Sequence, residues 1–93
     1  MNNLFISYDL NSPGQDYTKT HEAIKSLGDW AKVQKSLWYL KSQYSELQVK
    51  NTLWAAMDRN DSLIVVNATT NCAAWEGLAH PDVSQFIIDE WSK

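Results

Sequence analysis

One cysteine, two histidines, two prolines and three glycines are few for 93 residues, and each scarcity excludes something. A lone Cys72 rules out an internal disulfide and any paired-cysteine metal spacing. His21 and His80 have no second histidine or cysteine at ligand distance along the chain, which excludes a histidine metal site of the usual kind. Proline and glycine are too sparse for a low-complexity linker, so the few present act as punctuation. No apolar run approaches membrane-spanning length, and MNNLFISYDL has no basic stretch followed by an apolar one, so the expected location is the cytoplasm and no membrane partner is expected. Positive charge is also short. The formal net charge of −3 argues against binding nucleic acid through bulk electrostatics.

What the chain does have is apolar and aromatic. At 44% hydrophobic residues it has the material for one small domain spanning 1–93, with 70–93 as a C-terminal loop and helix extension. Five tryptophans and four tyrosines exceed what so short a chain buries alone, which predicts that some of them cover an oligomer interface. Charge is unevenly spread. Residues 1–59 carry seven basic and six acidic side chains, whereas 60–93 set Lys93 against Asp61, Glu76, Asp82, Asp89 and Glu90.

The stretch from Trp30 to Lys41 is rich in strand-favouring residues but long for one strand, so a turn is predicted near Gln34, Lys35 and Ser36, with a short strand before it and a longer one after. A first strand runs from Leu4 to Leu10, with Leu4, Ile6, Tyr8 and Leu10 on one face and Phe5, Ser7 and Asp9 on the other; apolar residues on both faces make it central. The first helix starts either at Ser12, with Pro13 at its first position and Gln15 closing a capping box, or nearer Asp16, and runs to about Leu27. Gly28 is predicted to end it in the left-handed conformation. Ser45 to Gln48 make a capping box for a second helix to about Met57, with Leu47, Leu53, Trp54 and Met57 on its apolar side. Leu63 to Val66 form a continuous apolar run within a last strand, Ser62 to Thr69, as in strands covered on both faces. Pro81 opens a helix whose Val83, Phe86, Ile87 and Trp91 must pack on the sheet's face or edge. The order is β-α-β-β-α-β plus a helix: an α+β, ferredoxin-like fold with an antiparallel four-stranded sheet and two helices on one face.

For chemistry, Asp9 stands out, because a carboxylate at the end of a central strand beside a glycine-containing loop is a common place for metal or proton chemistry. It has a simpler reading as well, ordering the turn from Asn11 to Gly14 through its side-chain oxygens. Ser7, Ser36 and Cys72 have no base coupled to them. Lys32, Lys35, Lys41 and Lys50 alternate with Trp30, Trp38, Tyr39 and Tyr44, the interleaving of single-strand binders; a sheet with aromatics inward and lysines in solvent gives the same pattern. The binding candidates are Lys32, Lys35, Trp38, Tyr39 and Lys41.

Tyr8, Asp9 and Leu10 closing the first strand, Gly28 after the first helix, then Val33, Gln34, Lys35, Ser36, Leu37 and Trp38, and later Asp61 and Ser62 leading into the last strand, together resemble one family. It is that of the CRISPR-associated small ferredoxin-like proteins, the second core adaptation subunit, with their stand-alone relatives, and the similarity spans about residues 4–68. It implies a homodimer of facing sheets in which the two copies of Asp9 approach across a two-fold axis. Some members are metal-dependent nucleases in which that aspartate holds Mg²⁺, and others are non-catalytic DNA scaffolds. This chain departs from them in its acidic charge, in a first helix with Lys19 and Lys25 but no arginine, and in a tryptophan-bearing helix where many members have an extra strand. The expectation is a stand-alone relative, from a mobile element or phage: a dimeric binding module holding a nucleic acid, a nucleotide or a protein partner in the groove between subunits. The alternative is a metal-dependent endonuclease or ribonuclease using Asp9 as catalytic residue and metal ligand.

Overall fold

The computed structural model describes residues 1–11 and 17–93. In chain order the elements are β1 (Asn2–Asp9), α1 (Thr18–Lys25), β2 (Asp29–Gln34), β3 (Leu37–Ser42), α2 (Glu46–Trp54), β4 (Ser62–Asn67) and α3 (Pro81–Trp91). The four strands form one antiparallel sheet in the order β2-β3-β1-β4, so β1 is central, as its two apolar faces predict. This is the α+β arrangement of the split βαβ motif with one helix added. The expected helix start at Ser12, Pro13, Gln15 or Asp16 lies outside the described residues.

The strand period sorts the side chains into two layers. Leu4, Ile6 and Tyr8 of β1 share a face with Trp38 and Leu40 of β3, and α1 and α2 close over them with Ile24, Val49 and Leu53 to make the core. The capping box of α2 forms in full: Ser45 Oγ accepts from the Gln48 amide at 3.1 Å and Gln48 Oε1 accepts from the Ser45 amide at 2.9 Å. That helix ends at Trp54, earlier than its apolar pattern suggests. Ala56 and Met57 bond back three residues, to Leu53 and Trp54, and tighten its last turn. Val49 and Leu53 are its buried residues, while Leu47 and Trp54 face outward.

Two further differences have plain causes. The ribbon's strands are equal, six residues each, because a bulge between Lys32 and Gln34 lengthens the first while Lys35 and Ser36 make the turn. Gly28 is required by contact rather than by handedness. The positive-φ glycine among the described residues is Gly77, at +70°, whereas a Cβ on Gly28 would lie 2.1 Å from the Lys41 carbonyl oxygen.

α3 covers the other face of the sheet, over β2 and β3. Phe86 meets Tyr39 edge-on with centroids 6.2 Å apart, Trp91 stacks on Tyr39 at 6.0 Å, and Trp91 also touches Phe5 at 6.0 Å. Under the helix end lies a buried polar lock. Asn3 Oδ1 accepts from the Tyr39 hydroxyl at 2.6 Å and from Lys41 Nζ at 3.0 Å, while Asn3 Nδ2 and Lys41 Nζ donate to the Trp91 carbonyl at 2.9 and 3.3 Å. The carbonyls that a helix end leaves without partners are thus met by side chains of β1 and β3. Burial, and after it the Glu90 carboxylate, pushes the Tyr39 hydroxyl up to about 12 and keeps it a donor. β4 departs from expectation, being an edge strand with one face open: Ile64 and Val66 project on the α3 side beyond the helix and stay exposed. Among the described residues no helix is long and apolar enough to cross a membrane.

Candidate functional site

The chemistry-bearing side chains gather where α1 crosses the β2 edge. Tyr17, His21 and Lys25 stand at four-residue intervals, which places them on one stripe of the helix and its first flanking residue. On the strands, Trp30 opposes Leu40 and Lys32 opposes Trp38, so Trp30, Lys32 and Trp38 project to the same side of the sheet as α1. The result is a strip of rings. Tyr17 lies 6.1 Å from His21, His21 5.0 Å from Trp38 and Trp38 5.4 Å from Trp30, all tilted. Two ammonium groups flank it, Lys25 Nζ 4.8 Å from the Trp30 ring centre and Lys32 Nζ 6.0 Å from that of Trp38.

The strip is rigid in its middle, at His21 and Trp38, and open at its two ends. Tyr8, 3% exposed, accepts a hydrogen bond from Trp38 Nε1 at 3.2 Å, and its hydroxyl lies 2.9 Å from His21 Nε2. Burial, then the nearby Lys32 and Lys25, holds His21 below its ordinary range, so the neutral ring is favoured and Nε2 is assigned as acceptor of the Tyr8 proton. Burial also raises Tyr8, against the Trp38 hydrogen bond. These groups orient one another and are poorly suited to nucleophilic chemistry, because the tyrosine is enclosed and the imidazole already occupied. Trp30 and Tyr17 remain 40% and 52% exposed. Beside Trp30 opens a cleft of about 590 Å³, lined by Trp30, Ala31, Lys32, His80, Asp82, Val83 and Phe86, which is roomy enough for a small planar ligand.

Of the binding candidates named from sequence, Lys32 and Trp38 belong to this strip and Lys35 lies exposed in the β2–β3 turn. Tyr39 and Lys41 project through the opposite face, buried under α3 and engaged with Asn3. Alternation along β3 separates Trp38 from Tyr39, so the five never share a surface. The helix contribution, Tyr17, His21 and Lys25, was visible only as a four-residue spacing whose relation to β2 no local pattern reveals.

Asp9 is exposed at the end of β1, paired with Ser62 and on the same side of the sheet as Ser7. Asp61 ties the segment after β1 to the turn before β4: its Oδ1 accepts from the Asn11 amide at 2.9 Å and its Oδ2 from the Asp58 amide at 2.7 Å, whereas the turn that Asp9 is expected to order lies largely outside the described residues. Among the described residues no three of His, Cys, Asp or Glu come together. One carboxylate per chain does not by itself fit Mg²⁺, which needs a second ligand from another copy or from substrate.

The chain matches no protein-family model and no curated protein.

Proposed function

We propose that this chain is a non-catalytic module that binds single-stranded nucleic acid at the β2 edge. The observation that carries the reading is the strip from Tyr17 through His21 and Trp38 to Trp30, flanked by Lys25 and Lys32. Exposed rings beside ammonium groups suit a chain of bases and phosphates: a base stacks on Trp30, the displaced Lys25 ammonium moves to the neighbouring phosphate, and Lys32 meets the next one. The acidic net charge is less of an obstacle than composition suggests, because residues 17–35 carry four lysines against two acids while the excess acid lies beyond residue 60. The reading keeps the ligand class expected from sequence and moves the site from a groove between subunits to the β2 edge of each chain.

Fluorescence anisotropy with a labelled 12-mer of oligouridylate tests it. Trp30→Ala is expected to weaken binding by about 5- to 100-fold, the worth of one stacked base. Lys32→Ala is expected to lower the salt slope by about one phosphate contact. Equal binding by all three proteins, or none by the parent, would overturn the reading.

One observation favours a second reading, a metal-dependent phosphodiesterase: the Asp9 carboxylate is exposed at the end of the central strand, on the side of the sheet that α3 leaves open near β4. Under that reading cleavage of the same oligonucleotide requires Mg²⁺ or Mn²⁺ and is lost in Asp9→Asn.

A further inference from the structure

The sheet has two edges, and they are built differently. β2 carries Asp29 and Lys32 exposed and a bulge at Val33, devices that discourage another strand from pairing there. β4 has none of them. Its sequence, SLIVVN, contains no charge, proline or glycine, and it pairs with β1 through six consecutive residues without a register shift. An uncharged edge strand without such devices is a template for pairing with another chain.

Exposed apolar side chains stand on both sides of the sheet at that edge. On the α3 side Ile64 and Val66 are 63% and 50% exposed. On the other side α2 stands beside β4, with the Glu46 carboxylate accepting from Asn67 Nδ2 at 3.0 Å. Leu47 and Trp54 of that helix are separated by two turns on one outward stripe and are 58% and 39% exposed. Four such residues expose a few hundred Å² in all, divided between the two sides of the strand edge. With the strand edge itself added, this approaches the roughly 800 Å² that each partner contributes to a standard stable interface.

Charge at the two ends of β4 selects the orientation. The turn before it holds Asp58, Arg59 and Asp61, whereas residues 68–71 after it are uncharged. Parallel pairing would set the two acidic turns side by side. Antiparallel pairing sets each against an uncharged segment and is the arrangement a two-fold axis generates.

We propose that the occupant of this edge is a second copy of the chain, with β4 paired to β4 antiparallel in a continuous eight-stranded sheet. Ile64 and Val66 of the two copies then cover one another below the sheet, and Leu47 and Trp54 flank the axis above it. Facing sheets, the arrangement implied by the family resemblance, would meet a face that α3 already covers over β2 and β3. In the edge-to-edge dimer the two β2 edges become the outer edges, seven strand spacings or roughly 34 Å apart. The proposal is independent of the nucleic-acid reading, and its test contains no oligonucleotide.

Light scattering and sedimentation on the full chain decide it. The parent is expected at twice its 10.7 kDa mass at micromolar concentration. Ile64→Lys with Val66→Lys is expected at the monomer mass with its circular dichroism retained, and Ile88→Lys on the outer face of α3 is expected to remain dimeric. A second measurement needs no variant: amide exchange along β4 in the parent should slow as concentration rises from about 2 to about 200 μM, by mass action. A monomeric parent at the upper concentration, a folded double variant that stays dimeric, dissociation by Ile88→Lys instead, or β4 exchange independent of concentration would each overturn the proposal.

Discussion

Asn3 Nδ2 donates to the backbone carbonyl of Trp91 at 2.9 Å, joining the first strand to the last turn of the last helix across 88 positions of sequence. Removing that amide leaves the buried Tyr39 hydroxyl without its acceptor and the Lys41 ammonium with only the Trp91 carbonyl at 3.3 Å. Asn3→Ala is therefore expected to cost about 2–4 kcal/mol in urea unfolding, since it removes several hydrogen bonds and stranding a buried donor costs more than the hydrogen bond contributes. A loss under about 0.5 kcal/mol would mean that the aromatic contacts of α3 hold it without the lock.

His21 gives a pH dependence whose sign is fixed by its direction of shift. Its folded value is lowered below 6.5, chiefly by burial, so the unfolded chain takes up this proton first as pH falls. Stability from this group is full above pH 6.5 and is lost as pH falls below it, toward the folded value. His21→Gln is expected to flatten the thermal melting profile below pH 6.5 relative to the parent. Parallel profiles for the two proteins would show that the neutral ring is not what the fold requires.

Gly28 and Gly77 separate two uses of glycine. A Cβ at Gly28 meets the Lys41 backbone carbonyl at 2.1 Å, where neither partner can swing away, so Gly28→Ala is expected to cost about 2–3 kcal/mol and lower the melting temperature by roughly 10–20 °C. Gly77 has open space but a φ of +70°, and Gly77→Ala is expected to cost only about 1 kcal/mol. Equal effects in calorimetry would contradict the steric account of Gly28.

The two aspartates at the β1 and β4 ends are expected to behave oppositely. Asp61→Ala frees the Asn11 and Asp58 amides together and should destabilise by about 2–3 kcal/mol. Asp9→Asn removes an exposed charge and should leave the melting temperature unchanged or slightly raised, with oligonucleotide affinity within about twofold of the parent. A metal-dependent cleavage activity lost in Asp9→Asn would favour the phosphodiesterase reading instead.

How far these features could be read from sequence depends on how local their causes are. The capping box at Ser45 and Gln48 is contained in four residues and forms as written. The central place of β1 follows from apolar residues on both faces of one strand. The stripe of α3 calls for a covering surface, and the α3 side of the sheet supplies it. The run Leu63 to Val66 misleads, because an edge strand with an uncovered face has the same composition as a buried one. Lys41 misleads in the other direction. It alternates with aromatics like a ligand-binding lysine, yet it spends its ammonium on Asn3 and the end of α3, a partner 50 residues away. Trp30 joins its strip through Trp38, across the ribbon, and Lys25 reaches it only because α1 crosses that edge.

The most direct measurement of the binding account is a proton–nitrogen correlation spectrum of the five tryptophan indoles during titration with the oligouridylate 12-mer. Trp75 and Trp91 donate internally to Ser84 and Asn71, and serve as references within the same spectrum. The account predicts that the Trp30 indole shifts progressively with ligand, accompanied by the amides of Lys25 and Lys32, while the Trp75 and Trp91 signals hold still. Saturable shifts confined to the surroundings of Ser7, Asp9 and Ser62, with Trp30 unmoved, would contradict it.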